Sequence, residues 1–131
     1  MASQGLADTS VFIAAETGRE LGPLPDELAI ATVTLTELEL GVLAAEPADR
    51  GRRLRTFTEV RTAVEALPLD EHVASRLAEL LVSLHEAGRR PKLFDAIIAA
   101  TALRHDLPVY TQDADFDAIA AAHPDLRVRR V

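Results

Sequence analysis

Short apolar runs alternate along this chain with longer stretches in which apolar residues recur every three or four positions, so strands should alternate with helices. Gln4 to Ala7 reads as a short strand, and DTSVFIAAE behind it as a helix that stops near Gly18. GPLP, Gly22 to Pro25, is a loop. Leu28 to Val33, apolar and partly β-branched, predicts a buried strand, and a helix follows from Leu35 to Ala45, stopped by Pro47. Another helix starts at Ala48 or Asp49, with Leu54, Phe57, Val60 and Val64 at helical spacing. The next runs from about Glu71 to Ala87 behind an Asp70 cap, its stripe being Val73, Leu77, Leu80, Leu81 and Leu84. These two are expected to be ordinary core helices.

Gly88 and Pro91 then break the chain before a helix that opens at Asp95 and runs through AIIAATALRH. Its residues are apolar or small almost all the way round, the mark of a buried helix. Pro108 to Thr111 reads as a strand, QDADF as a turn and Phe116 to Ala122 as a helix. Leu126 to Val131 alternates apolar and basic residues, as an edge strand does. The order β-α-β-α-α-α-α-β-α-β predicts an α/β fold, a three-layer α/β/α sandwich on a mainly parallel central sheet.

That topology gives meaning to the places where a strand or loop hands over to a helix. In a parallel sheet every strand points the same way, so residues just past the strand ends meet at one rim. Asp8, Glu37, Asp95 and Asp113 all stand at such junctions. Two unit charges ~5 Å apart at an effective dielectric of ~20 repel by ~3 kcal/mol, so such a gathering calls for a cation. Carboxylate oxygens are hard ligands suited to Mg²⁺ or Mn²⁺. The 4 histidines are dispersed and the chain has no cysteine, which argues against zinc.

Each carboxylate also has a plainer role open to it. Asp8 ahead of Thr9 and Ser10 is a good helix N-cap, worth ~1 kcal/mol, and the two hydroxyls could hold its carboxylate. Thr34-Leu35-Thr36-Glu37 fits a capping box with Thr34 as the cap. Glu39 is a rival to Glu37, but two residues along a helix turn the side chain by about 200°, so only one faces the rim. Asp95 opens a greasy helix, where a charge is costly unless paired or metal-bound. Asp113 and Asp115 bracket Ala114 after the strand, and capping accounts for only one of them. Asp113 is favoured for the metal, with Asp115 as an auxiliary.

At 131 residues and 48% apolar, the chain is expected to form one domain, 1–131, with a proper core. The opening MASQGLADTS lacks a basic and an apolar region, and no apolar run approaches the ~18 residues that cross a bilayer, so a cytoplasmic location is expected. A net charge of −7 is unlike a general nucleic-acid binder. Two basic runs soften that objection, RGRRLR from Arg50 to Arg55 and RRPK from Arg89 to Lys92, either of which could contact phosphates or simply face solvent.

The segments ADTSVFIAAE, TLTELELGVL, FDAIIAATAL and VYTQDADFDAI, in this order and spacing, resemble those of PIN-domain ribonucleases, in particular the VapC toxins of toxin–antitoxin pairs. The resemblance spans nearly the whole chain. It implies a PIN-like fold and a Mg²⁺- or Mn²⁺-dependent endoribonuclease that forms a homodimer and is held inactive by a VapB-like antitoxin. It also implies an acidic tetrad of Asp8, Glu37, Asp95 and Asp113, with Asp8, Asp95 and Asp113 holding the cation and Asp115 a competing fourth ligand. Two rivals belong to other classes. A non-catalytic PIN-like module would dock a basic peptide in the acidic pocket without metal. A phosphate-accepting receiver-type domain would need paired acids after the first strand and a lysine after the last, whereas Asp8 stands alone and the single lysine is Lys92.

Overall fold

Gly5 and Tyr110 show how closely the central strands are covered. A Cβ at Gly5 would lie 2.6 Å from the Tyr110 ring, so a neighbouring strand can carry that ring only over a glycine. The computed structural model describes residues 2–131. Its elements are β1 (Gln4–Ala7), α1 (Thr9–Thr17), β2 (Glu27–Ala31), α2 (Thr32–Leu43), α3 (Pro47–Ala63) and β3 (Glu65–Leu67). Then come α4 (Glu71–Glu86), α5 (Leu93–His105), β4 (Val109–Thr111), α6 (Asp115–Ala122) and β5 (Val128–Arg130).

The sheet order is β3-β2-β1-β4-β5, and every neighbouring pair is parallel. Successive residues of a strand point to opposite faces, which assigns them to two apolar layers. Leu6, Ala31 and Val109 face one layer, with Val73, Leu80 and Leu84 of α4, Ile98 of α5, and Phe116 and Ile119 of α6. Ile30 faces the other, against Leu38 and Val42 of α2, Phe57 and Val60 of α3, and Phe12 and Ile13 of α1. The three-layer α/β/α sandwich is therefore as the sequence predicted.

From β1 the chain steps to β2 and β3 on one side, and later returns to β4 and β5 on the other. The loops after β1 and β4 consequently diverge, opening a crevice at the carboxyl ends of the two strands. Asp8 follows β1 and Gln112 to Ala114 follow β4.

Local boundaries differ from the sequence reading in physically instructive ways. The short strand β3 was not foreseen; its three residues, Glu65 to Leu67, have no apolar alternation of their own and form a strand because β2 offers them a partner. Val33 lies in α2, not in the preceding strand, because the helix begins at Thr32 directly after β2. The N-cap is then Ala31, the Thr34 capping box does not form, and the buried Thr34 hydroxyl has no hydrogen-bond partner among the described residues. Leu54 is 50% exposed rather than part of the α3 stripe. Asp70 caps α4 as predicted, accepting the Val73 N–H at 2.9 Å. Lys92 is the N-cap of α5, so Asp95 is the third helical residue instead of the first. Strand β5 lies at the edge of the sheet beside β4.

Candidate metal centre and active site

The end of β1 is tied to the end of β4 through hydroxyl groups. Asp8, 6% exposed, is the N-cap of α1, its Oδ1 accepting the Ser10 N–H at 2.8 Å. Its Oδ2 accepts the Ser10 hydroxyl at 2.9 Å and the hydroxyl of Thr111, the last residue of β4. Thr111 in turn accepts the Asp113 N–H at 2.8 Å, and the Ser10 hydroxyl oxygen accepts the Gln112 N–H at 2.9 Å. Capping and site-building are thus the same set of contacts at Asp8.

Asp113 continues the turn by accepting the Asp115 N–H on Oδ1 at 2.9 Å. Asp95, 8% exposed, comes from the first turn of α5. Asp95, Asp113 and Asp115 each offer a carboxylate oxygen, and the three atoms lie within 4.8 Å of one another. Glu37 reaches the rim from α2, and its Oε1 accepts the Thr9 hydroxyl at 2.9 Å. Glu39 is exposed, as the helical rotation required. Both acids after β4 therefore join Asp95, while Asp8 is linked to them through Thr111.

The electrostatics show that these groups feel one another. Burial, helped by the charges of Asp8, Asp113 and Glu37, pushes the Asp95 carboxyl up to about 6, with Lys92 acting in the opposite direction. Burial also raises Asp8, against the hydrogen bonds from Thr111 and Ser10 and with Asp113 adding to the rise. Glu37 is raised by burial, opposed by the Thr9 hydrogen bond and reinforced by Asp8 and Asp113. A rim whose carboxylates disfavour one another's charge, and which offers hard oxygens alone, suits Mg²⁺ or Mn²⁺.

Two participants went unforeseen in these roles. Thr111 is the hub between Asp8 and Asp113, and its only signal in the sequence was a hydroxyl at the last position of a strand. Lys92 places Nζ 3.4 Å from Asp115 Oδ2, whereas the sequence suggested a phosphate contact or a solvent-facing position. A cleft of about 470 Å³ opens beside this pair, lined by Arg89, Arg90 and Lys92 as well as Asp95 and Asp115. The other basic run serves largely to hold the protein together. Arg52 Nε and Arg53 Nη1 lie 3.2 and 3.4 Å from Glu16 Oε2, and Arg50 donates to the Ala45 carbonyl at 3.1 Å.

Comparison with known proteins gives a consistent picture. The family model described as PIN domain matches residues 6–122. Ribonuclease VapC5 of Mycobacterium tuberculosis is 48% identical over 121 residues, covering 90% of this chain and 89% of that protein. Ribonuclease VapC4 of the same organism is 41% identical over 131 residues, covering 95% of each. Among solved structures, VapBC-5 from Mycobacterium tuberculosis, a member of the VapBC family of toxin–antitoxin systems, contains a chain that superposes with a TM-score of 0.88 at 42% identity. The match covers 98% of this chain and 99% of that one.

Proposed function

This chain belongs to the PIN-domain family, and from that premise we propose that it is a Mg²⁺- or Mn²⁺-dependent endoribonuclease, the toxin of a toxin–antitoxin pair. The observation that carries the reading is the convergence of Asp95, Asp113 and Asp115 within 4.8 Å, beside Asp8 and Glu37. The names of the relatives, ribonucleases of the VapC group, support RNA as the substrate.

Asp95 and Asp113 would hold the cation, with Asp8 and Asp115 completing or flanking its ligand set. A divalent cation bound there supplies Lewis acidity toward phosphoryl oxygens and makes water more acidic. The residues around it do the remaining work. Thr111 and Ser10 fix Asp8, so that the anionic wall is set before substrate arrives. Glu37, held by Thr9 at Oε1, orients the attacking water and takes its proton at Oε2. As the water oxygen bonds to phosphorus, the bond from phosphorus to the departing nucleotide oxygen breaks, and that oxygen takes a proton from solvent water. Arg89 and Arg90 in the cleft contact the phosphates of the strand.

By likeness to VapBC-5, a VapB-like antitoxin is the proposed partner, and the family resemblance makes a homodimer the proposed active form. Among the described residues no helix is long and apolar enough to cross a membrane, and a cytoplasmic location is proposed. The test is RNA cleavage by the purified protein with Mg²⁺ or with EDTA. Cleavage should require the cation and vanish in Asp8→Asn and Asp95→Asn proteins that keep their fold. Undiminished cleavage by either variant would overturn the assignment.

A further inference from the structure

Lys92 is the one lysine among 14 basic residues, and it stands against the acidic rim. Its backbone is anchored: it is the N-cap of α5, and its carbonyl accepts the Ala96 N–H at 3.0 Å. Its side chain is not held in the same way. The side chain is 75% exposed, and that of its partner Asp115 is 52% exposed. An exposed pair of this kind is held weakly and exchanges readily. The contrast within the same molecule is Glu16, whose side chain is 2% exposed and tied by Arg52, Arg53 and the Thr56 hydroxyl. That pairing is fixed, whereas the Lys92 pairing is free to change.

We infer that Lys92 is a resident counter-ion that changes partner: it neutralises Asp115 while no divalent cation is bound, and moves to an RNA phosphate in the adjoining cleft once one is. The inference rests on the ribonuclease reading for its second partner only. An ammonium is a compact point charge on a flexible stem, able to serve a carboxylate and a phosphate in turn, where a guanidinium would favour one planar fork. Asp115 and Lys92 line the same cleft as Arg89 and Arg90, so the swing carries the charge toward the basic wall. The exchange would keep a positive charge on the acidic rim at each stage, Lys92 before the cation enters and the cation afterwards.

The test combines metal binding with RNA binding. Mn²⁺ titrated calorimetrically into the full chain should bind about tenfold more tightly to Lys92→Gln than to wild type, because a competing charge is gone. Lys92→Arg should stay within about threefold of wild type, since it keeps the competing charge. With Ca²⁺ present, a fluorescein-labelled single-stranded RNA 20-mer of random sequence should bind Lys92→Gln about tenfold more weakly. Unchanged or weaker Mn²⁺ binding by Lys92→Gln would overturn the counter-ion role, and unchanged RNA binding would overturn the exchange. The two readings fail separately. Wild-type protein that binds Mn²⁺ but cleaves no RNA would end the ribonuclease reading. Wild-type cleavage with a Lys92→Gln variant indistinguishable in both titrations would end this inference alone.

Discussion

Thr111 gives its hydroxyl hydrogen to the buried carboxylate of Asp8, although 103 positions separate them in sequence. Because a hydroxyl has one hydrogen, the oxygen of Thr111 is left to accept, and it takes the Asp113 N–H at 2.8 Å. One side chain thus fixes the acid after β1 and aims the turn after β4.

Thr111→Val keeps the shape and removes both roles. Asp8 would lose a donor at a buried site, which costs about 1–3 kcal/mol. Urea denaturation should report that loss, and RNA cleavage should fall by about tenfold or more. Thr111→Ser, which retains the hydroxyl, should recover most of the activity.

Burial of these carboxylates, reinforced by their crowding, predicts an unusual pH dependence. The Asp95 carboxyl is pushed from 3.8 up to about 6, so between these values the folded state binds more protons than the unfolded one. In EDTA, stability should therefore fall as pH rises from about 4 to 6, by on the order of 2–3 kcal/mol from this group. Asp8 and Glu37 are raised as well and act in the same direction. Mg²⁺ should restore stability at pH 7, and Asp95→Asn should flatten the metal-free curve. Thermal melts across pH with and without Mg²⁺ measure all three effects.

Thr34 is fully buried and its hydroxyl has no hydrogen-bond partner among the described residues. Thr34→Val exchanges an unsatisfied hydroxyl for a methyl of similar size and should stabilise the protein by about 1 kcal/mol. Cleavage should be unchanged, because Glu37 relies on Thr9 and not on Thr34. A loss of stability on denaturation would mean the hydroxyl has work to do.

Glu16 joins α1 to α3 through Arg52, Arg53 and Thr56. Glu16→Ala leaves two neighbouring guanidinium groups without their shared anion, and a cost of about 2 kcal/mol is expected, below the range for fully buried pairs because the arginines are partly exposed. Denaturation midpoints would measure it. Unchanged stability would return these arginines to the role of a free basic surface.

Much of this architecture is legible in the residues themselves. Gln4 to Ala7, the Gly18 stop and the Asp70 cap follow from local chemistry, and the structure keeps them. Strand β3 is different, since Glu65 to Leu67 are a strand only by virtue of pairing with β2. Thr34 and Glu37 satisfy a capping-box spacing, yet the helix starts three residues earlier and Glu37 turns to Thr9 on another helix. Asp8 and Asp113 could be placed at the rim because a parallel sheet gathers its strand ends, whereas Asp95, on a helix that follows another helix, stood out as a charge at the start of an apolar helix. Thr111 as a hub and Lys92 as a partner of Asp115 could not, because each depends on a contact between segments that no spacing encodes.

Every catalytic role proposed above requires the gathered carboxylates to hold a divalent cation. Anomalous scattering from crystals grown with Mn²⁺ tests this directly. A Mn²⁺ peak in contact with carboxylate oxygens of Asp95 and Asp113 is the predicted result. No peak at that rim under saturating Mn²⁺, or one bound only elsewhere, would contradict it.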